Sequence, residues 1–384
     1  MRGNKQPGLM IRQLPTLILV ILILAAGCSY GGSESSSSKL YAYMNGTEFV
    51  LMRADQVVAK KTGSFTGYGP AWTLDHRYVA TLEGDDYTAS THTLAVMDTS
   101  NGTIRNLPCS GCRSIVGIGG SQLAAVTEKL NSSRMLVRFD LSSSVPPVEV
   151  PIQVRQATRV WLVAGTTNQV LVASTTGLDV DDKLFVMNLD GSSPAAWTIN
   201  GEIVAAAASS PNTQQTNIFA IHYRRMLPGC ELGDSGSVEW VDLVSLIDVP
   251  NGRITKTDAS NVISEMQTSH PERTDVGKTR VASIWWSIDG HLYASMRAWP
   301  CEAYLSPEIA KTIESFAVWR LEGKQWEQAE GEAALAVHPL GEDSRAILTQ
   351  STADGYLGTL YLESGDKRTR VAEDVTLSVP TPTR

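Results

Sequence analysis

Short apolar runs broken by turn-forming residues fill nearly all of the chain, and their length is that of strands. LYAYM (40–44), EFVLMRA (48–54) and QVVAKKT (56–62) set the tone, and Val, Thr, Ser, Gly and Asn dominate the remainder of the chain. Only SPEIAKTIESF (306–316) predicts a helix. The pattern therefore predicts an all-β protein of many short strands.

Internal repetition gives those strands an order. PAWTLDHRYVA (70–80) aligns without a gap on IWWSIDGHLYA (284–294), matching Trp72 with Trp286, Asp75 with Asp289 and Ala80 with Ala294. Each copy reads as strand, Asp-centred turn, strand. Weaker copies begin at Ser114, Arg159, Ile203 and Ala334, and each is followed by a second hairpin with its own turn, as in LAVMDTSNGTIRNL (94–107) and GTLYLESGDKRTRVA (358–372). Four strands every ~45 residues is the arithmetic of a propeller blade. The three N-terminal runs and a lone C-terminal run, VTLSV (375–379), add one more blade shared by both chain ends. The expectation is a single β-propeller of four-stranded blades over residues 40–384, with seven blades and with six or eight as the alternatives. Closure by both termini would remove the free sheet edges that invite aggregation.

Ahead of this lies a different composition. Residues 1–27 combine Arg2, Lys5 and Arg12 with the uninterrupted apolar run Leu17–Ala26, too short to span a bilayer, and end in Ala25-Ala26-Gly27 before Cys28. That is a secretory signal with a small-residue cleavage site. It resembles the bacterial lipobox, and the resemblance implies that Cys28 is acylated and becomes the mature N-terminus. Residues 28–39, with the serine run SESSSS, hold too little apolar surface to fold and form a flexible tether. Cleavage removes three cations and no anion from a chain whose formal charge is already −8, so nucleic acid is not expected as a partner. The location implied is extracytoplasmic, anchored to the bacterial cell membrane by lipid.

Pro70, Trp72 and Asp75 in one hairpin, and Trp286, Ser287, Asp289 and Gly290 in the other, resemble the WD40-like repeat of TolB-type propellers and of the propellers in dipeptidyl-peptidase IV relatives. The resemblance implies the propeller fold for the whole cargo and is specific at these two hairpins. No counterpart of the α/β domain that accompanies the propeller in those proteins is expected within residues 40–384.

Candidate chemistry is scattered. GDSGS (233–237) superficially resembles a trypsin-like serine loop, but it sits in a Gly-rich insertion and reads as a turn. His76, His92, His222, His270, His291 and His338 are never at ligand spacing. Acidic loops join second to third strands: Glu83, Asp85 and Asp86; then Asp179, Asp181 and Asp182; then Glu231 and Asp234. They lack the full calcium-loop spacing and are expected to form a solvated acidic rim on one face, selecting cationic partners. No metal and no cofactor is expected.

Export favours disulfides, and four cysteines remain after Cys28, allowing three pairings. Cys230 and Cys301 occupy the same loop type in adjacent repeats and form the expected staple; Cys109 and Cys112, in PCSGCR, can close a small loop. The expected function is that of a non-catalytic, membrane-tethered monomer whose propeller binds another envelope protein or a cell-wall ligand. The alternative is an exported lyase or hydrolase with a site assembled around the ring axis.

Overall fold

The computed structural model describes residues 39–380 except 66–68, 85–91, 129–133, 155–156, 177–181, 193–194, 209–217, 233–236, 270–275, 288, 301–315, 331–332, 341–342 and 351–356; the side chains at 226–240, 266, 269, 276–277, 299–300, 330 and 350 also lie outside that description. The predicted helix at 306–316 falls almost wholly outside it.

The strands follow the hairpin pattern of the sequence. β1 (Leu40–Met44), β2 (Glu48–Arg53) and β3 (Gln56–Thr62) come first. A four-stranded sheet comes next, made of β4 (Ala71–Trp72), β5 (Tyr78–Glu83), β6 (Thr93–Asp98) and β7 (Ile104–Pro108). Its successor holds β8 (Cys112–Ile118), β9 (Gln122–Glu128), β10 (Arg134–Asp140) and β11 (Val148–Pro151), and the sheet after that β12 (Arg159–Gly165), β13 (Gln169–Thr175), β14 (Asp182–Asn188) and β15 (Ala195–Ile199). Then come β16 (Glu202–Ala208), β17 (Ile218–Leu232), β18 (Ser237–Asp248) and β19 (Arg253–Lys256); the helix α1 (Ser260–Ser269); and β20 (Val276–Trp286), β21 (Leu292–Pro300), β22 (Ala317–Glu322) and β23 (Gln325–Glu330). The last strands are β24 (Ala336–Pro339), β25 (Ser344–Gln350), β26 (Gly358–Ser364) and β27 (Lys367–Ser378). Within each of the four-stranded sheets every pairing is antiparallel between sequence neighbours.

The exception is where the chain ends meet. β24 to β27 and β1 to β3 form one seven-stranded sheet in the order β24-β25-β26-β27-β1-β2-β3. The first part of β27 pairs with β26, while Thr376, Leu377 and Ser378 pair with Met44, Tyr43 and Ala42 of β1. VTLSV was expected as a strand by itself; it is instead the far half of one long strand. The changeover falls at a register shift between Ala372 and Val375. Asp374 lies inside it at φ 52°, a left-handed conformation that Asp tolerates better than most side chains.

Packing explains why these strands are apolar at consecutive positions. On β2, Phe49 and Leu51 join a cluster with Trp72, Val79 and Ala95, whereas Val50 and Met52 join another with Leu348, Leu360 and Val375. On β13, Val170 and Val172 pack toward Ile118 and Val126 while Leu171 and Ala173 pack toward Phe219 and Ile221. Successive side chains on a strand point to opposite faces, so each of these sheets is buried on both. Each fully buried Leu, Val or Phe contributes about 1.5–3 kcal/mol relative to an exposed one.

The helix α1 was not foreseen. Asp258 accepts the Ser260 N–H at 2.9 Å at its start, and Val262 is buried against Trp286, Trp319 and Trp326. Packing on a sheet, more than propensity, stabilises a helix this short.

Candidate functional site

The two hairpins that align in sequence fold alike at their turns. Asp75 accepts the Arg77 N–H at 3.1 Å and Asp289 the His291 N–H at 3.0 Å. His76 and Gly290 donate their N–H groups to the carbonyls of Thr73 and Ser287, both at 3.0 Å, and both stand at positive φ, 59° and 84°. Their tryptophans are also equivalent. Trp72 Nε1 donates to Ser378 Oγ at 3.1 Å and Trp286 Nε1 to the Ala207 carbonyl at 3.3 Å, so each indole reaches a strand of a different sheet.

Two buried carboxylates make joints of the same kind. Asp182, 2% exposed at the start of β14, accepts the Ile203 N–H of β16 at 2.7 Å. Asp242, 1% exposed on β18, accepts the Val281 N–H of β20 at 2.9 Å through Oδ2. Its Oδ1 faces Arg224 Nε at 3.1 Å and His222 Nε2 at 3.4 Å. Burial raises the Asp182 pKa, and the Ile203 N–H only partly opposes it. Burial pushes Asp242 upward too, but the hydrogen bond and charge of His222, with Val281 and Arg224, outweigh it and hold the carboxyl below its ordinary value. Elsewhere, Ser114 Oγ accepts the Leu162 N–H at 2.8 Å, and Ser295 Oγ donates to the Ala334 carbonyl at 2.5 Å. Backbone-to-side-chain bonds thus pin neighbouring sheets to one another.

The acidic loops expected to form a rim divide. Asp182 does not belong to a solvated rim: its place in a sheet joint buries it. Glu83 is also engaged, by Lys61 at 3.1 Å and the Thr93 hydroxyl at 3.1 Å. Asp85, Asp86, Asp179 and Asp181 lie outside the described residues, as do Cys28, Cys301, Asp234 and the side chains of Cys230 and Glu231. Cys109 and Cys112 are joined by a disulfide, with 5.4 Å between their Cα atoms and both residues buried. Beside them His92 is buried, its Nδ1 2.7 Å from the Cys112 carbonyl. Among the described residues no three His, Cys, Asp or Glu side chains gather as a metal site.

An aromatic cluster links β20, β21 and β24. Trp285 stacks on Tyr293 with ring centroids 5.9 Å apart, and His338 lies 5.2 Å from Trp285. Loss of water lowers the His338 pKa to about 4, so this imidazole is neutral near pH 7 and serves as a packing group. Burial, then the bond to Asp289 Oδ2 at 2.7 Å, raises Tyr293 to about 12.

Among the described residues, a concave feature lies on the flank of the β12–β15 sheet. It is a groove of about 680 Å³, floored by Phe185 and Met187, edged by Ser174, Lys183, Ala196 and Thr198, and walled by Gln153 and Val154. Strand alternation explains it: Lys183, Phe185 and Met187 are every second residue of β14, and Ala196 and Thr198 stand beside Phe185 and Lys183 on β15. An apolar floor with a few polar groups at its edge is the usual make-up of a binding cleft, and the volume is within the usual range for one. The sequence carried no motif for it, because a groove formed by one sheet face and a distant connection has no local signature.

No protein-family model matches the chain, and no curated protein does. Comparison with solved structures finds the β-propeller domain of the trilobed protease from Pyrococcus furiosus, at 12% identity and TM-score 0.47, covering 87% of this chain and 99% of that one. The acylaminoacyl peptidase of Pyrococcus horikoshii gives 11% identity and TM-score 0.46, covering 88% and 53% of the two chains. Prolyl oligopeptidase B from Galerina marginata gives 10%, 0.45, 90% and 52%. The chain spans about half the length of these last two peptidases.

Proposed function

We propose that this protein is a lipid-tethered binding platform of the bacterial cell envelope, non-catalytic, built on a seven-bladed β-propeller. The groove beside β15 carries the functional reading: it is concave and amphipathic, and it sits on a scaffold held rigid by buried bonds between sheets. The blade count rests on strand order. The far half of β27 with β1, β2 and β3 makes one blade; the near half with β24, β25 and β26 makes another; the five four-stranded sheets make the rest. Apolar clusters between successive sheets, and one uniting β1 and β2 with β25 and β26, support closure into a ring. Such a ring has no need of a further domain to cover its sheets, and the tether on Cys28 would hold the groove near the membrane surface.

A photo-crosslinking amino acid at Thr198, on the groove, tests the reading in intact cells against the same group at Val57, an exposed position on β3. A discrete adduct at position 198 and none at 57 is expected. Identical patterns at both positions would overturn the assignment of the groove.

A further inference from the structure

Of the strands that stand fourth in their blades, all but one carry charge, and several add proline or paired cations. β3 has Lys60 and Lys61; β7 has Arg105 and Pro108; β11 has Glu149 and Pro151; β19 has Arg253 and Lys256; β23 has Glu327 and Glu330; the near half of β27 has Lys367, Arg368 and Arg370. These are the usual guards against another strand adding to a free edge. The remaining outer strand, β15, reads AAWTI, with neither charge nor proline. It is the last strand of its sheet, so half of its backbone N–H and C=O groups point away from β14. The groove lies along this same strand and takes Ala196, Trp197 and Thr198 into its lining.

Resting on the reading of the groove as a binding site, we propose that β15 is a docking edge, to which a partner polypeptide adds an extended segment as a fifth strand while one of its apolar side chains enters the groove. Unsatisfied backbone donors and acceptors in a row are complementary to another backbone and to little else. Ala196 and Thr198 are exposed and small, which leaves Phe185 within reach of a side chain crossing from the added strand. The Trp197 indole donates to the Gly252 carbonyl at 3.4 Å, bracing β15 from its far face. Lys183 is exposed two positions from Phe185 on the same face and makes no ion pair among the described residues. Side chains on an added strand would fall at the same spacing of two. The segment recognised therefore has a large apolar residue with an acidic residue two positions away, and its backbone supplies the affinity common to all such segments.

The probe is a terminally blocked, labelled peptide, Thr-Glu-Val-Leu-Val-Glu-Thr, whose symmetry serves either strand direction. Binding is measured by fluorescence anisotropy to the purified protein from residue 28 onward. Two further versions carry backbone N-methyl groups, one on alternate residues including the leucine and the other on the remaining set. A strand presents alternate N–H groups to alternate sides, so one methylated version should bind like the parent and the other at least ~10-fold more weakly. Ala196→Lys should weaken the parent by a similar factor with an unchanged melting temperature, and Lys183→Glu should reverse the preference between this peptide and its Lys-for-Glu counterpart. Equal affinity of the two methylated versions, or no binding by any of the peptides at about 1 mM, overturns strand addition. Neither result bears on the crosslinking test of the groove itself, which stands or falls separately.

Discussion

Trp72 and Ser378 stand 306 positions apart and share a hydrogen bond, the indole N–H donating to the serine hydroxyl at 3.1 Å while that hydroxyl donates to the Pro70 carbonyl at 2.8 Å. The last strand of the chain is thereby fastened to the sheet that succeeds the first three strands. Trp72→Phe keeps an aromatic ring and loses the donor. A loss of about 1 kcal/mol is expected, with a coupling of similar size to Ser378→Ala in a double-mutant cycle. Trp72→Ala should cost about 3–5 kcal/mol through the cavity it leaves. Urea melts of these variants and the double mutant measure both; additive single effects would show the bond to be without energetic consequence.

The buried joints are expected to respond to pH in opposite senses. Asp242 has a folded pKa below its unfolded one, so its contribution is complete above the unfolded value, near 3.8, and fades as pH falls through the lower folded value. Asp242→Asn should destabilise at pH 7 by about 1–3 kcal/mol, since it leaves Arg224 and His222 without their anion. Asp182 has a raised folded pKa, so the cost of its charge sets in as pH rises above the unfolded value of 3.8 and is complete above the raised folded one. Asn keeps an acceptor for the Ile203 N–H and removes that cost. Asp182→Asn is therefore expected to be neutral or stabilising at pH 7, losing any advantage below pH 3.8. Thermal melts of both variants at about pH 7 and about pH 3.5 check the contrast.

Cys109 and Cys112 are 3% and 0% exposed, so their disulfide should resist reductant as long as the fold persists. Replacing both cysteines by serine removes a very short loop closure, worth about 2 kcal/mol in the chain-entropy description relative to the disulfide-bonded protein. Alkylation after reduction, with and without denaturant, gives the expected result if label enters only in denaturant; rapid labelling of the native protein would point to an exposed, exchangeable bond.

Membrane tethering is tested at Cys28. Cys28→Ala should abolish incorporation of an alkyne-bearing fatty acid and leave the precursor uncleaved. Equal incorporation in both proteins would refute acylation at this residue.

Much of the architecture was legible because its determinants are local. Asp75 and Asp289 mark their turns by bonding two residues ahead, and the runs LYAYM and QVLVAS, short, apolar and bounded by turn residues, form strands. The matching of Trp72 with Trp286 extended to the role of each indole N–H. What sequence did not disclose depends on distant partners. Asp182 looked like one of several loop carboxylates, and only the approach of Ile203 from the next sheet makes it a buried joint. His222 and Asp242 are separated along the chain and meet across β17 and β18. Asn, Ser and Thr around Val262 hid α1, whose stability comes from the tryptophans beneath it. The absence of charge in AAWTI was visible from the start, but it acquires meaning only once β15 is known to end a sheet.

Whether both chain ends build one sheet is read most directly by hydrogen exchange at β1. In the full-length protein the amides of Ala42–Met44, where β1 pairs with β2 on one side and with Thr376–Ser378 on the other, should exchange only with global unfolding. Removal of residues 375–384 should expose that strand and speed its exchange by about two orders of magnitude or more, for a loss of about 3 kcal/mol in local protection. Protection of β1 that is unchanged by the truncation, or rapid exchange of β1 in the intact chain, would contradict a ring closed by its two ends.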